Sequence, residues 1–157
     1  MGEGEFALVR HHLEIAVSQT GEWLGDHDIY TTLVDTAALE RNESAIRQYA
    51  PRAEALANGL GHRLYQGVIH RAWGVAHRLA GEYVESEARL NQALELFSDL
   101  GTRWQVGRTL FELGELAAAR QQPAEARDYF SRALADFETM RAAPDSARTR
   151  AALEALA

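Results

Sequence analysis

Apolar residues recur along the chain at spacings of three and four, which is the pattern of amphipathic helices. One such run contains Ile69, Trp73 and Ala76, and further runs follow it towards the C-terminus. Short segments rich in glycine, proline and polar residues separate the runs. Gly81 in one of them suits the left-handed end of a helix, and Pro123 in another suits the first turn of the next. Because these breaks are short, successive helices are expected to pack as antiparallel neighbours.

A period of 40 residues organises these helices. Trp73-Gly74 recurs as Leu113-Gly114, and no insertion interrupts the spacing. An alanine-rich chain gives single alanine matches by chance, but chance does not explain one period shared by apolar, glycine and loop positions. Such a period indicates a tandem array of helix pairs. Further positions share it: Gly61 with Gly101, Gly67 with Gly107, Ala53 with Ala93 and Ala133, and Leu60 with Leu100 and Met140.

The repeat resembles the tetratricopeptide family. In that family the first helix reads aromatic, two residues, Leu-Gly, two residues, Tyr, and the second carries small, large and small residues. In the first unit Val34 replaces the glycine, and the 40-residue period exceeds the family's usual length. The resemblance implies an all-α fold, a right-handed superhelix of antiparallel helix pairs with about eight helices. The matching residues are Leu110, Leu113-Gly114, Ala117, Ala126, Phe130 and Ala133 in the third unit, His70, Trp73-Gly74, His77, Ser86, Leu90 and Ala93 in the second, and Tyr30, Leu33-Val34 and Ala37 in the first.

The same spacing divides the chain into units within one domain, 1–157. We expect the second helix of a partial repeat at 3–19, repeats at 26–60, 61–100 and 101–140, and a terminal or capping helix at 144–157. Two glycines and Trp23 predict a longer loop at 18–25. An array that starts and stops in mid-pattern suggests a piece excised from a longer one. The alternative is that the two end helices are themselves the caps.

Composition narrows the class of protein. Apolar residues make up 46% and charged residues 25%, which is ordinary for a globular chain. The net charge is −7, and all 16 basic residues are arginine. Nucleic-acid binding needs a positive footprint, so we expect no nucleic-acid partner. The absence of cysteine excludes thiol chemistry and Cys-ligated zinc, and neither a signal peptide nor a membrane span is recognisable, so we expect a cytoplasmic location and no membrane partner.

Candidate chemistry is sparse. His70 and His77 lie seven residues apart on one predicted helix, but no acidic or cysteine partner has ligand spacing, so we expect partly buried packing histidines and no metal. Glu112 and Glu115 share a helix face that we expect to be solvated. The sequence carries no phosphate loop, nucleophile elbow or zincin motif. We therefore expect no enzyme and no cofactor.

In the family, the first helices line the concave side of the superhelix, and the resemblance places a candidate partner-binding face there. We expect these residues to lie off the packing face, with Val75 and Phe111 offering exposed apolar contact among arginines that suit a protein or peptide with an acidic segment. The alternative is that the arginines only pair with Glu112 and Glu115. A carboxylate clamp is not expected, because Arg108 alone of the matching positions has a suitable charge. The candidate residues are Asp35, Arg71, Val75, Arg78, Arg108, Phe111, Glu112 and Glu115.

These features favour a protein- or peptide-binding scaffold, which we expect to be part of a larger regulatory or signalling protein. Similar 40-residue arrays occur in multidomain bacterial regulators, and this comparison rests on resemblance alone. A peptide-sensing receptor domain is the second hypothesis, and an enzyme is the third.

Overall fold

All regular structure that the computed structural model describes, over residues 8–9, 11–16 and 26–156, is helical. Helical residues 8–9 and 11–16 precede seven further helices, so the prediction of an all-α chain with about eight helices is confirmed for the described residues. The predicted loop at 18–25 and the remainder of the predicted helix at 3–19 lie outside them. The seven helices are α1 (Asp26–Leu39), α2 (Glu43–Gly59), α3 (Arg63–Leu79), α4 (Tyr83–Asp99), α5 (Arg103–Ala119), α6 (Pro123–Thr139) and α7 (Ala143–Ala155).

The turns between these helices share one backbone conformation. Helices α2 to α6 have 17 residues each, and from α2 onwards the start of each helix is followed 20 residues later by the start of the next. One residue in each intervening turn has a positive φ, which reverses the chain at the end of a helix. Glycine takes this conformation at 61, 81 and 101, whereas Arg41, Gln121 and Arg141 take it at the other turns. Pro123 begins α6, as expected for a residue that needs no hydrogen-bond acceptor for its nitrogen.

Two glycines let the helices of a pair approach closely. A Cβ atom placed on Gly74 would lie 2.5 Å from Cγ of Leu90, and one on Gly114 would lie 2.6 Å from Cδ1 of Phe130. Real carbon atoms in contact sit about 3.5–4.0 Å apart. The large residue of each second helix therefore fills the space that the glycine of the first helix leaves open. This is the packing that the Leu-Gly and Trp-Gly positions predict.

The core lies between the two layers of helices. Ala93 and Ala133 are fully buried where a second helix meets a first helix, next to the buried rings of Phe97 and Phe137. Consecutive helices pack against each other along the chain, so the packing is that of an α-solenoid. First helices also contact the equivalent helix of the next unit, α1 with α3 and α3 with α5. One face of α1, α3 and α5 therefore forms a continuous inner surface.

Candidate functional site

The inner surface of the first helices carries a network of charged side chains. Asp35 on α1 lies at its centre and accepts hydrogen bonds from two arginines on different helices. Nη2 of Arg71 on α3 lies 3.0 Å from Oδ1, and Arg108 on α5 binds both carboxylate oxygens at 2.9 and 3.1 Å. Asp35 and Arg108 are 73 residues apart in sequence. The network thus joins three successive units.

Burial and charge act against each other at this centre. Burial by itself would raise the pKa of the Asp35 carboxyl, but the charges and hydrogen bonds of Arg71 and Arg108 outweigh it and hold the pKa below its ordinary value. Burial, followed by repulsion from Arg108 and offset in part by Asp35, lowers the pKa of Arg71 to about 10. Arg71 therefore stays cationic at neutral pH, although its side chain is only 2% exposed.

A second part of the network is centred on Glu112 of α5. Nη1 of Arg41, in the turn after α1, lies 2.8 and 2.7 Å from the two carboxylate oxygens. Nη2 of Arg78 on α3 lies 3.3 Å from Oε2, and its Nη1 lies 3.7 Å from Glu115. Burial would raise the pKa of Glu112, but Arg41 and Arg78 hold it below its ordinary value. Glu112 is therefore a buried carboxylate, and the expectation of a solvated face is wrong at this residue.

Aromatic rings support the arginine side chains. The guanidinium carbon of Arg71 lies 5.2 Å from the centre of the Phe97 ring, and that of Arg108 lies 4.8 Å from the centre of the Trp104 ring. Such contacts hold a guanidinium in place without using its hydrogen-bond donors. Gln105 Oε1 accepts a further bond from Arg71 at 2.6 Å.

The structure brings the predicted inner-face residues together, but it buries the two apolar ones. Val75 is 1% exposed and Phe111 is 3% exposed, so the expectation that they lie off the packing face as exposed contacts is wrong. Phe111 packs against Phe130 on the second helix of its own pair, with the ring centres 5.2 Å apart, and the guanidinium carbon of Arg148 lies 4.1 Å from its ring centre. Val75 belongs to the core cluster that it forms with residues of α1 and α2. A binding role for the eight residues stays a prediction.

The predicted alternative, in which the arginines pair with Glu112 and Glu115, describes part of the network. Arg78 does pair with these two carboxylates. Arg71 and Arg108 pair with Asp35 instead.

Three inner-surface residues escaped the sequence reasoning. Arg41 lies in a turn, where no helical pattern marks it, and its bond to Glu112 spans 71 residues of sequence. Trp104 is 44% exposed, and its indole nitrogen donates a hydrogen bond to Asp145 at 3.0 Å. Arg148 could have been found, because it lies one 40-residue period after Arg108.

The histidines on α3 lie on the other side of that helix. His70 and His77 are both partly buried, as expected for packing histidines. His70 lies 2.9 Å from the guanidinium of Arg89, which also pairs with Glu54. Burial, followed by the charge of Arg89, lowers the pKa of His70 below its ordinary value. Within the described ranges, no group of three or more His, Asp or Glu side chains has a metal-binding arrangement.

None of the helices described has the length and apolar character that crossing a membrane requires.

The repeated helix pairs, the close-approach glycines and the inner surface define the class of protein as an α-solenoid. A model of the family described as "Tetratricopeptide repeat" matches residues 65–139, and this part of the chain belongs to that family. A search of the curated proteins finds no significant match. Tetratricopeptide repeats generally act as scaffolds for contacts between proteins. They form a non-catalytic family.

Proposed function

We propose that this chain is a protein- or peptide-binding scaffold that receives its partner on the inner surface of the first helices. The observation that carries the proposal is the charged network on that surface. Buried ion pairs add little net stability compared with apolar packing of the same volume, so a fold of this kind does not require them. Their concentration on one face supports a role in recognition.

The proposed binding surface has a buried floor and an exposed edge. The eight predicted residues supply the floor, which fixes the position of the arginines. Trp104 supplies the edge, because it is exposed and held by Arg108 and Asp145. Tryptophan and arginine are the residue types that most often dominate binding energy at interfaces. We propose that the eight floor residues contribute to binding mainly by holding this edge in place: Asp35, Arg71, Val75, Arg78, Arg108, Phe111, Glu112 and Glu115.

The partner is proposed to carry an acidic segment. The inner-surface network contains five arginines and four carboxylates, although the whole chain carries a net charge of −7. A positive surface on an acidic protein attracts acidic partners and repels basic ones, which the rest of the molecule would attract. Binding should therefore weaken as the salt concentration rises.

The wider setting is also a proposal. We infer a module of a larger regulatory or signalling protein in the cytoplasm, made of repeats at 26–60, 61–100 and 101–140 with partial units at 3–19 and 144–157. This inference is supported by the resemblance of the 40-residue array to those in multidomain bacterial regulators and by the absence of cysteine.

A peptide selection tests the proposed surface. A displayed library of random twelve-residue peptides is selected against the chain, and affinities are measured by fluorescence anisotropy for the parent, Trp104→Ala and Val84→Ala. Both substitutions remove an exposed apolar side chain, and Val84 lies on the second helix α4, so it serves as the matched control. Trp104→Ala is expected to weaken binding about tenfold or more, as for an interface anchor. Val84→Ala should leave the affinity unchanged.

Two results would contradict the proposal. Selected peptides that lose affinity with Val84→Ala and keep it with Trp104→Ala would place the binding surface on the second helices. A library that yields no binder would contradict recognition of a peptide segment on this surface.

A further inference from the structure

Arg148 on α7 stands apart from the other arginines of the inner surface. Its guanidinium carbon lies 4.1 Å from the centre of the Phe111 ring, and its side chain is 36% exposed. The nearest carboxylate oxygen, on Asp145, is 3.9 Å away, which is too long for a hydrogen bond. No described residue forms a hydrogen bond with this guanidinium, and its buried Nε has no partner among them.

The internal repeat gives Arg148 a direct comparison within the same chain. Arg108 and Arg148 occupy equivalent positions one period apart, on the equivalent helices α5 and α7. The threonines that follow them confirm the register, because each is fully buried and donates to the carbonyl oxygen four residues earlier. What differs between the two arginines is therefore their surroundings and not their place on the helix.

The comparison shows a missing carboxylate. Arg108 donates two hydrogen bonds to Asp35, which lies 73 residues before it. The residue 73 positions before Arg148 is Val75, whose side chain has no hydrogen-bond acceptor. In the repeat, Phe111 has the same position relative to Arg148 as Arg71 has relative to Arg108. The guanidinium of Arg148 therefore lies against an aromatic ring instead of beside a polar side chain.

We infer that Arg148 is the anchor for an acidic side chain of the partner, whose carboxylate takes the place that Asp35 has in the preceding unit. The inference rests on the proposed function, since it names the group that the inner surface recognises. A carboxylate can accept two parallel bonds from the planar guanidinium, and Phe111 already holds that plane in position. Burial lowers the pKa of Arg148, and the charges around it are mixed: Glu112 acts most strongly, followed by Arg41, Asp145 and Arg108. Neither carboxylate is hydrogen-bonded to the guanidinium, so its donors stay open to a further acceptor.

The neighbouring surface indicates what should follow the acidic residue. The indole of Trp104 is bonded to Asp145, three residues before Arg148 on α7, and 44% of the tryptophan is exposed. A large apolar side chain next to the acidic residue would therefore contact Trp104 while the carboxylate binds Arg148. The recognised segment is an Asp or Glu adjacent to an aromatic or branched apolar residue.

The experiment repeats the selection of twelve-residue peptides with three proteins: the parent, Arg148→Gln and Arg127→Gln. Arg127 lies exposed on the second helix α6, so its substitution removes the same charge away from the inner surface. The parent and Arg127→Gln should enrich peptides with one shared acidic position, and Arg148→Gln should not. A selected peptide should lose about tenfold or more in affinity with Arg148→Gln, and an equal amount when its acidic residue is replaced by the amide.

Arg148→Lys separates geometry from charge. Lysine keeps the charge but cannot form two parallel bonds, so its affinity should lie between those of the parent and Arg148→Gln. Because the side chain is partly exposed and makes no hydrogen bond to a described residue, all three variants should melt close to the parent.

The failures of this inference and of the proposed function are distinguishable. Peptides that need Trp104 but bind Arg148→Gln as well as the parent would overturn the role of Arg148 and leave the inner surface as the binding site. Equal binding of acidic and amide peptides would overturn the carboxylate. A library that yields no binder would overturn both.

Discussion

The close approach at Gly114 offers a quantitative test of the packing. A Cβ atom at this position would lie 2.6 Å from two ring carbons of Phe130, which is 1% exposed and enclosed on the other side. The ring would have to move by about 1 Å to restore a normal contact. Overpacking of this kind costs about 1–3 kcal/mol, whereas replacing glycine by alanine within a helix gains about 1 kcal/mol. We expect Gly114→Ala to lower the free energy of unfolding by up to about 2 kcal/mol.

Gly59 supplies the matched control, since a Cβ atom there would have no neighbour within 4 Å and the residue ends α2. Gly59→Ala should leave the free energy of unfolding unchanged or raise it by up to about 1 kcal/mol. Urea unfolding followed by circular dichroism gives both values. Combining Gly114→Ala with Phe130→Leu should show a favourable coupling, because the smaller side chain relieves the clash.

The reasoning would be refuted by Gly114→Ala being as stable as Gly59→Ala, or by the absence of coupling with Phe130→Leu. Either result would mean that the helices of this pair do not need the glycine to reach their observed separation.

The further predictions concern the core, the charged network and the histidines. Ala93→Arg should lower the free energy of unfolding by about 3 kcal/mol or more in the same urea assay, because it places an unpaired charge where two helices touch. Glu112→Gln should lower it by about 3–5 kcal/mol, because it removes the buried carboxylate that pairs with the partly buried Arg41 and Arg78, and a parent-like midpoint would count against the network. The pKa values of Asp35 and Glu112 are lowered on folding, so their stabilising contribution is present above about pH 4–5 and is lost as the pH falls below that range. The pKa of His70 is also lowered, so stability should decline as the pH falls below about 6.5, and His70→Gln should remove that part of the decline in a thermal melt. A chelator should leave the melting temperature unchanged, and a shift would indicate a metal site that the histidine interpretation misses.

The sequence predicts most of the fold because the fold is made of local features that recur. The close-approach glycines, the turn at Gly81 and the helix start at Pro123 each depend on a few neighbouring residues and reappear at a fixed spacing. Ala93 and Ala133 could be placed at helix contacts for the same reason. Every repeat adds an independent observation of the same local rule.

The inner surface was harder to predict because its contacts depend on how tightly the superhelix winds. The bonds from Arg108 to Asp35 and from Arg41 to Glu112 join residues more than 70 positions apart, and no local pattern reports such pairs. Phe111, which the helical pattern alone places on an open face, is buried against the ring of Phe130 and the side chain of Arg148. Arg148 is different, since the 40-residue spacing that relates it to Arg108 is visible in the sequence.

The most direct test of the inner-surface proposal is to map a selected peptide by nuclear magnetic resonance on the isotopically labelled chain. The account predicts that the largest shift changes fall on α1, α3, α5 and α7, and include the indole nitrogen of Trp104 and the side-chain nitrogens of Arg148. Changes confined to α2, α4 and α6, with these side-chain signals unmoved, would contradict it.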